Sequence, residues 1–237
     1  MNVKENYKER LFPITTDSVR LEGDLVIPPQ VEGLVLLVHS TSGGRYSQSS
    51  QYIAAILHQA KLATLAIDLL TLHEEASDWH SKSLLFNPGL LAERLGGATD
   101  WLTSYPVTQG LKMGYLAMGI EAGAAILAAA EKPSRVGAIA CLGGRLDLAT
   151  AVLHQIRVPT LLMVGEEDSR AQNINRNAWE RIPAEKQIEV IAGATHLNKN
   201  PAALEKVANL TALWFKNHLV SDKLRAKGQL VESYAER

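Results

Sequence analysis

The stretch Gly114–Ala125, GYLAMGIEAGAA, sets an acid between two glycines, directly after an apolar run and directly before an alanine-rich one. A sharp strand-to-helix turn with glycines at both shoulders is where many hydrolytic enzymes hold a nucleophile, because side chains at the shoulders would strike the neighbouring strand and helix. The residue between Gly119 and Gly123 that fits this role is Glu121. A serine there needs a base to take its proton, whereas a carboxylate is already ionised at neutral pH. Its attack on an ester would give an anhydride more reactive than the ester. Three chemistries stay open for Glu121: attack at a saturated carbon, service as a base for water, or a static ion pair with a histidine.

Two partners for such a turn follow in chain order. Glu166, Glu167 and Asp168 come directly after the apolar run PTLLMVG, and His196 lies in GATHL after KQIEVIAG. Acid then histidine, each just past a strand, is the order in which a nucleophile at a tight bend is served in α/β-hydrolases. Ser40, Thr41 and Ser42 follow the run GLVLLVH, and backbone N–H groups there can receive an oxyanion together with the N–H after the nucleophile, that of Ala122. Ser40 or Ser42 approaching His196, and Cys141 at the end of RVGAIAC, are candidate displaced nucleophiles. A lone buried cysteine is more often a small apolar core residue. Arg45 reads as a surface arginine, Arg145 and Asp147 as a local pair, and Trp101 and Trp214 as core.

The elements that must position these groups alternate. VRLEGDLVIPP alternates apolar and polar residues, as an antiparallel strand near a sheet edge does. GLVLLVH, LATLAIDLL, LKMGYLAM, RVGAIACLGG, PTLLMVGEED and KQIEVIAG are strand-like. Amphipathic stretches separate them, among them SQSSQYIAAILHQAK, LLAERLGGATDWLTS, LDLATAVLHQI and PAALEKVANLTALWFKNHL. This alternation predicts a mixed, mainly parallel sheet of about eight strands with helices on both faces. One domain over residues 1–220 and a charged C-terminal extension over 221–237 are expected, with no insertion large enough for a cap domain.

Bulk properties narrow the partners. A chain of 237 residues with 46% hydrophobic and 21% charged residues can bury a large core, and its net charge of −1 lacks the basic excess that nucleic acid or an anionic membrane requires. The single cysteine forbids an internal disulfide and fits a reducing, cytoplasmic setting. No Gly-rich phosphate loop is present, and the spacing of His73 and His80 fits no standard zinc site, so neither cofactor nor metal is expected. A small-molecule ligand or a protein partner remains.

These motifs resemble the dienelactone-hydrolase-like branch of the α/β-hydrolase superfamily, and LVLLVHSTSGGRYS, GATDWL, GYLAMGIEAGAA, GGRLDLA and GATHLNKNPAALEKVANLTALWF carry the resemblance from about Val19 to Leu219. It implies an α/β-hydrolase fold, with Glu121 matching the nucleophile and Asp168 and His196 the acid and base. Relatives place Ser or Cys where Glu121 stands and usually Gly where Ser40 follows His39. The resemblance thus implies ester or lactone hydrolysis that is weak or lost, leaving a binding or interaction role. The alternatives are an active hydrolase with a modified triad, and a Glu-nucleophile enzyme acting at saturated carbon.

Overall fold

The computed structural model describes residues 8–15, 19–41, 43–195, 197 and 200–220, with the backbone alone for 8–15. The elements run β1 (Lys8–Thr15), β2 (Arg20–Ile27), β3 (Gly33–His39), α1 (Gln48–Gln59), β4 (Leu62–Asp68), α2 (Leu72–Ser77), α3 (Pro88–Ser104) and β5 (Met113–Met118). Then come α4 (Ile120–Glu131), β6 (Val136–Leu142), two short 3-10 turns, β7 (Thr160–Gly165), α5 (Ser169–Arg181), β8 (Lys186–Ile191) and α6 (Pro201–Leu219).

All eight strands join one sheet in the order β1-β2-β4-β3-β5-β6-β7-β8. The β1–β2 and β2–β4 pairs are antiparallel, and every later pair is parallel. Alternation along the central strands fills two cores. Leu34, Leu36, Val38, Leu65, Ile67, Tyr115 and Ala117 face one layer with α3 and α4. Val35, Leu37, Leu62 and Leu116 face the other, packed against Ile53 and Leu57 of α1 and Val207, Phe215 and Leu219 of α6. Strands covered on both faces read as continuous apolar runs for this reason.

The mixed sheet flanked by helices is the arrangement expected from sequence. Three details differ. The polar-looking stretch Lys8–Thr15 forms an edge strand, so β2 lies one strand in from that edge. Residues 72–77, not assigned to any element from sequence, form a short helix with a capping box between Thr71 and Glu74. LDLATAVLHQI, helical by pattern, makes two 3-10 turns, Leu146–Ala149 and Leu153–Gln155. Residues 221–237, the expected charged extension, lie outside the described residues, and no helix among those described is long and apolar enough to cross a membrane.

Strand order reverses at β3: the chain leaves it outward to β4, then returns to β5 on its other side. A crevice opens at such a switch point beyond the carboxyl ends of the two strands. Here those ends are His39–Thr41 and Gly119–Glu121.

Candidate active site

The bend between β5 and α4 sits at Gly119, with φ 59° and ψ −122°. This left-handed backbone is costly for any residue with a side chain. Neighbouring backbone pins the bend from both sides: Gly119 N–H donates to Leu142 O at 3.2 Å, and Arg145 N–H donates to Gly119 O at 2.7 Å. The sequence reading placed Glu121 at the tip of this bend. The structure corrects it by two residues, because β5 ends at Met118 and the helix begins at Ile120. Glu121 is the second residue of α4, where the positive end of the helix favours an acid.

From there its side chain turns back across the crevice to the end of β3. Glu121 Oε1 accepts the Ser40 N–H at 3.0 Å and also the Ser40 hydroxyl. Burial raises the Glu121 carboxyl above the usual carboxylate range, and the Ser40 hydroxyl, the Glu121 N–H and the Ser40 N–H oppose that rise. No hydrogen bond from another side chain among the described residues reaches Oε2. That oxygen lies 3.7 Å from the point where a Cβ on Gly119 would stand.

His39 precedes Ser40 and turns its ring to α1, where Nε2 lies 3.0 Å from Ser50 Oγ. Burial, reinforced by the charge of Arg45, lowers its pKa to about 4, so the ring is neutral at physiological pH. The helix it meets is capped by Ser47, whose side chain accepts the Ser50 N–H.

A cavity of about 520 Å³ lies over these groups. Leu37, Ile53, Leu85, Leu116, Met118 and Leu142 give it apolar walls, and its polar lining comes from His39, Ser40, Thr41 and Glu121 and from Ser47, Ser49 and Ser50 at the start of α1. No Lys or Arg is among its described lining residues. Leu85 reaches it from a loop that Asp78 organises, accepting the N–H groups of Ser83, Leu84 and Leu85.

Asp168 and Cys141 are not among the residues lining this cavity. Asp168 follows β7 as anticipated and caps α5, its Oδ1 accepting Ala171 N–H at 2.9 Å. The turns after β7 and β8 are stitched together: Glu167 N–H donates to Ala194 O at 3.2 Å, Glu166 Oε2 accepts Gly193 N–H at 3.0 Å, and Thr195 Oγ1 donates to Glu167 Oε2 at 2.8 Å. Gly165 permits this approach, since a Cβ there would stand 2.1 Å from Ala194 O. His196 and Ser42 lie outside the described residues.

Ala122 is fully buried within α4 rather than on the crevice, so the N–H that follows the bend residue is that of Ile120. Ser40 and Thr41 do line the crevice. Cys141 is fully buried in the core, and burial pushes its thiol up to about 12, which leaves no thiolate to attack. Trp214 is buried, while Trp101 is only partly so and stacks on Tyr105. The Arg145–Asp147 pair forms as expected.

Arg45, read from sequence as a surface residue, is 7% exposed. Its guanidinium bridges Asp68 at 2.7 Å, Glu22 at 2.7 Å and Asp24 at 3.4 Å, and lies over the Tyr46 ring. The three acids come from β2 and β4, and nothing in the local sequence around Arg45 signals them. This cluster lines a second cavity of about 470 Å³, on which Arg20, Thr71 and His73 also open.

The strand order and the crevice at the β3–β5 switch define an α/β-hydrolase fold. The chain belongs to the dienelactone hydrolase family: it is 45% identical to the crystal structure of dienelactone hydrolase from Anabaena variabilis ATCC 29413, covering 90% of this chain and 99% of that one with a TM-score of 0.87. Est1E from Butyrivibrio proteoclasticus shares the fold at 13% identity, with a TM-score of 0.69 over 86% of this chain and 98% of that chain. The dienelactone hydrolase-like promiscuous phosphotriesterase P91 from metagenomic libraries shares it at 16% identity and 0.69, over 91% and 99%. Proteins of two Mycobacterium tuberculosis strains, CDC 1551 / Oshkosh and H37Rv, each bearing the name "putative phosphoribosyl transferase", are 39% identical over 206 residues. That match covers 87% of this chain, and the chain spans 46% of the length of those relatives. No family model matches the chain.

Proposed function

We propose that this protein is a hydrolase-fold binding protein whose acyl-transfer chemistry is lost. The observation that carries the reading is the pairing at the crevice: the bend residue is Gly119, which offers no nucleophile, and Glu121 already occupies the Ser40 N–H. A tetrahedral intermediate needs preorganised donors that are free to receive its oxygen. With a carboxylate in that place, one donor is committed and a like charge faces the developing oxyanion. The pocket itself is intact, with apolar walls and polar groups among them, the usual form of a small-molecule site.

A second reading, hydrolysis with Glu121 as base for a water, has one observation in its favour: burial raises the carboxyl toward a range useful for proton transfer. It keeps Asp168 and His196 as the remaining members of the triad. Attack by Glu121 on a saturated carbon needs the carboxylate over the bend, whereas its Oε1 is turned to Ser40. The transferase name of the Mycobacterium proteins belongs to chains about twice as long, and the turns of this chain carry no Gly-rich phosphate loop.

Turnover of p-nitrophenyl acetate and butyrate separates the two readings. The binding reading expects wild-type release of nitrophenol no faster than an inert protein control. It also expects Gly119→Ser alone to stay unacetylated, and Gly119→Ser combined with Glu121→Ala, which frees the Ser40 N–H, to acquire an acetyl group, seen by mass spectrometry. Wild-type turnover abolished by Glu121→Gln would replace binding with catalysis by Glu121.

A further inference from the structure

We infer that the crevice selects a small apolar ligand headed by a primary amine and rejects ligands headed by a carboxylate, an assignment that rests on the binding reading above. Glu121 Oε1 is held by Ser40, while Oε2 is left facing the space above Gly119. Because Gly119 has no side chain, that space can take the head of a ligand. An ammonium group placed there meets Oε2 of a fixed carboxylate, which no other side chain among the described residues engages, in a charge-assisted hydrogen bond. A carboxylate placed there meets a like charge, with no Lys or Arg among the described lining residues to offset it. His39 brings no compensating charge, because its ring is held neutral against Ser50.

The body of the ligand follows from the walls. Leu37, Ile53, Leu85, Leu116 and Leu142 line the cavity beside these polar groups. A cavity of about 520 Å³ accommodates a chain or ring of several carbons with room to spare.

The test is isothermal titration of the full chain at neutral pH with hexylamine, 1-hexanol and hexanoate. The inference expects hexylamine to bind wild type at least about tenfold more tightly than hexanoate. Glu121→Gln is expected to remove that advantage, bringing hexylamine and hexanoate to within about threefold of each other. Hexanoate binding as tightly as hexylamine, an amine advantage that survives Glu121→Gln, or no binding of any probe would each overturn it. If Glu121→Gln fails to fold, Leu85→Trp serves instead, narrowing the apolar wall; unchanged hexylamine affinity in that variant would also overturn the assignment. Ester turnover by wild type removes the binding reading itself. Equal or reversed selectivity without turnover removes only the head group.

Discussion

The segment from His39 to Ser47 separates two cavities, and the charges on its two sides are treated in opposite ways. On one side Arg45 is enclosed by Glu22, Asp24 and Asp68, so the cation has its carboxylates and the group is closed. On the other side Glu121 has Ser40 for one oxygen and, among the described residues, no cation partner. The first arrangement fixes the segment; the second can receive something. A buried ion pair is weak evidence of net stability, but removing one member leaves an uncompensated charge. A buried acid that lines a cavity and has no cation among the described residues is where binding or chemistry is to be sought.

The largest effect expected from this contrast is at Arg45. Arg45→Met strands Asp68, which is 3% exposed, and should cost about 3–5 kcal/mol of stability in chemical denaturation. A loss below about 1 kcal/mol would mean that the cluster does not hold the segment.

The pH dependence comes next, and its two components have opposite signs. His39 has its pKa lowered by burial from 6.5 to about 4, so its contribution is present above about pH 6.5 and is lost as pH falls through about 4. Asp68 has its pKa raised by burial to about 6, so its contribution is present below about pH 4 and is lost as pH rises through about 6. His39→Gln should therefore remove on the order of 2 kcal/mol of acid-induced loss between pH 6.5 and 4. Asp68→Asn should remove the opposing slope. Denaturation midpoints across that range read both, and an unchanged slope in His39→Gln would show that the ring is not held neutral.

The smallest stability effect belongs to Glu121. Glu121→Gln keeps an oxygen able to accept from Ser40 and removes a carboxyl that burial disfavours, so thermal unfolding should shift by about 1 kcal/mol or less. A loss as large as that of Arg45→Met would place Glu121 with the structural charges and erase the contrast.

The fold was legible because the central strands are covered on both faces and so read as unbroken apolar runs. β1 was not: its edge position leaves it without that signature, and Pro13 interrupts the pattern. The bend was legible to within two residues. Gly119 and Gly123 frame Glu121 with the spacing of the expected motif, so the pattern alone fits two registers. The signal that separates them is the strand itself: the apolar run LKMGYLAM stops at Met118, and the bend must be the next residue. Arg45 was illegible for a different reason. Its partners lie 23 residues away on each side, on strands that only the assembled sheet brings together.

The central claim is that no activated nucleophile serves this crevice, neither at the β5–α4 bend nor on the segment after β3. The most direct measurement is intact-protein mass spectrometry after exposure of the native chain to a fluorophosphonate, which labels activated serines covalently. The account predicts an unmodified wild-type mass. A single phosphonyl adduct on Ser40 or Ser42, lost on denaturation before labelling, would contradict it.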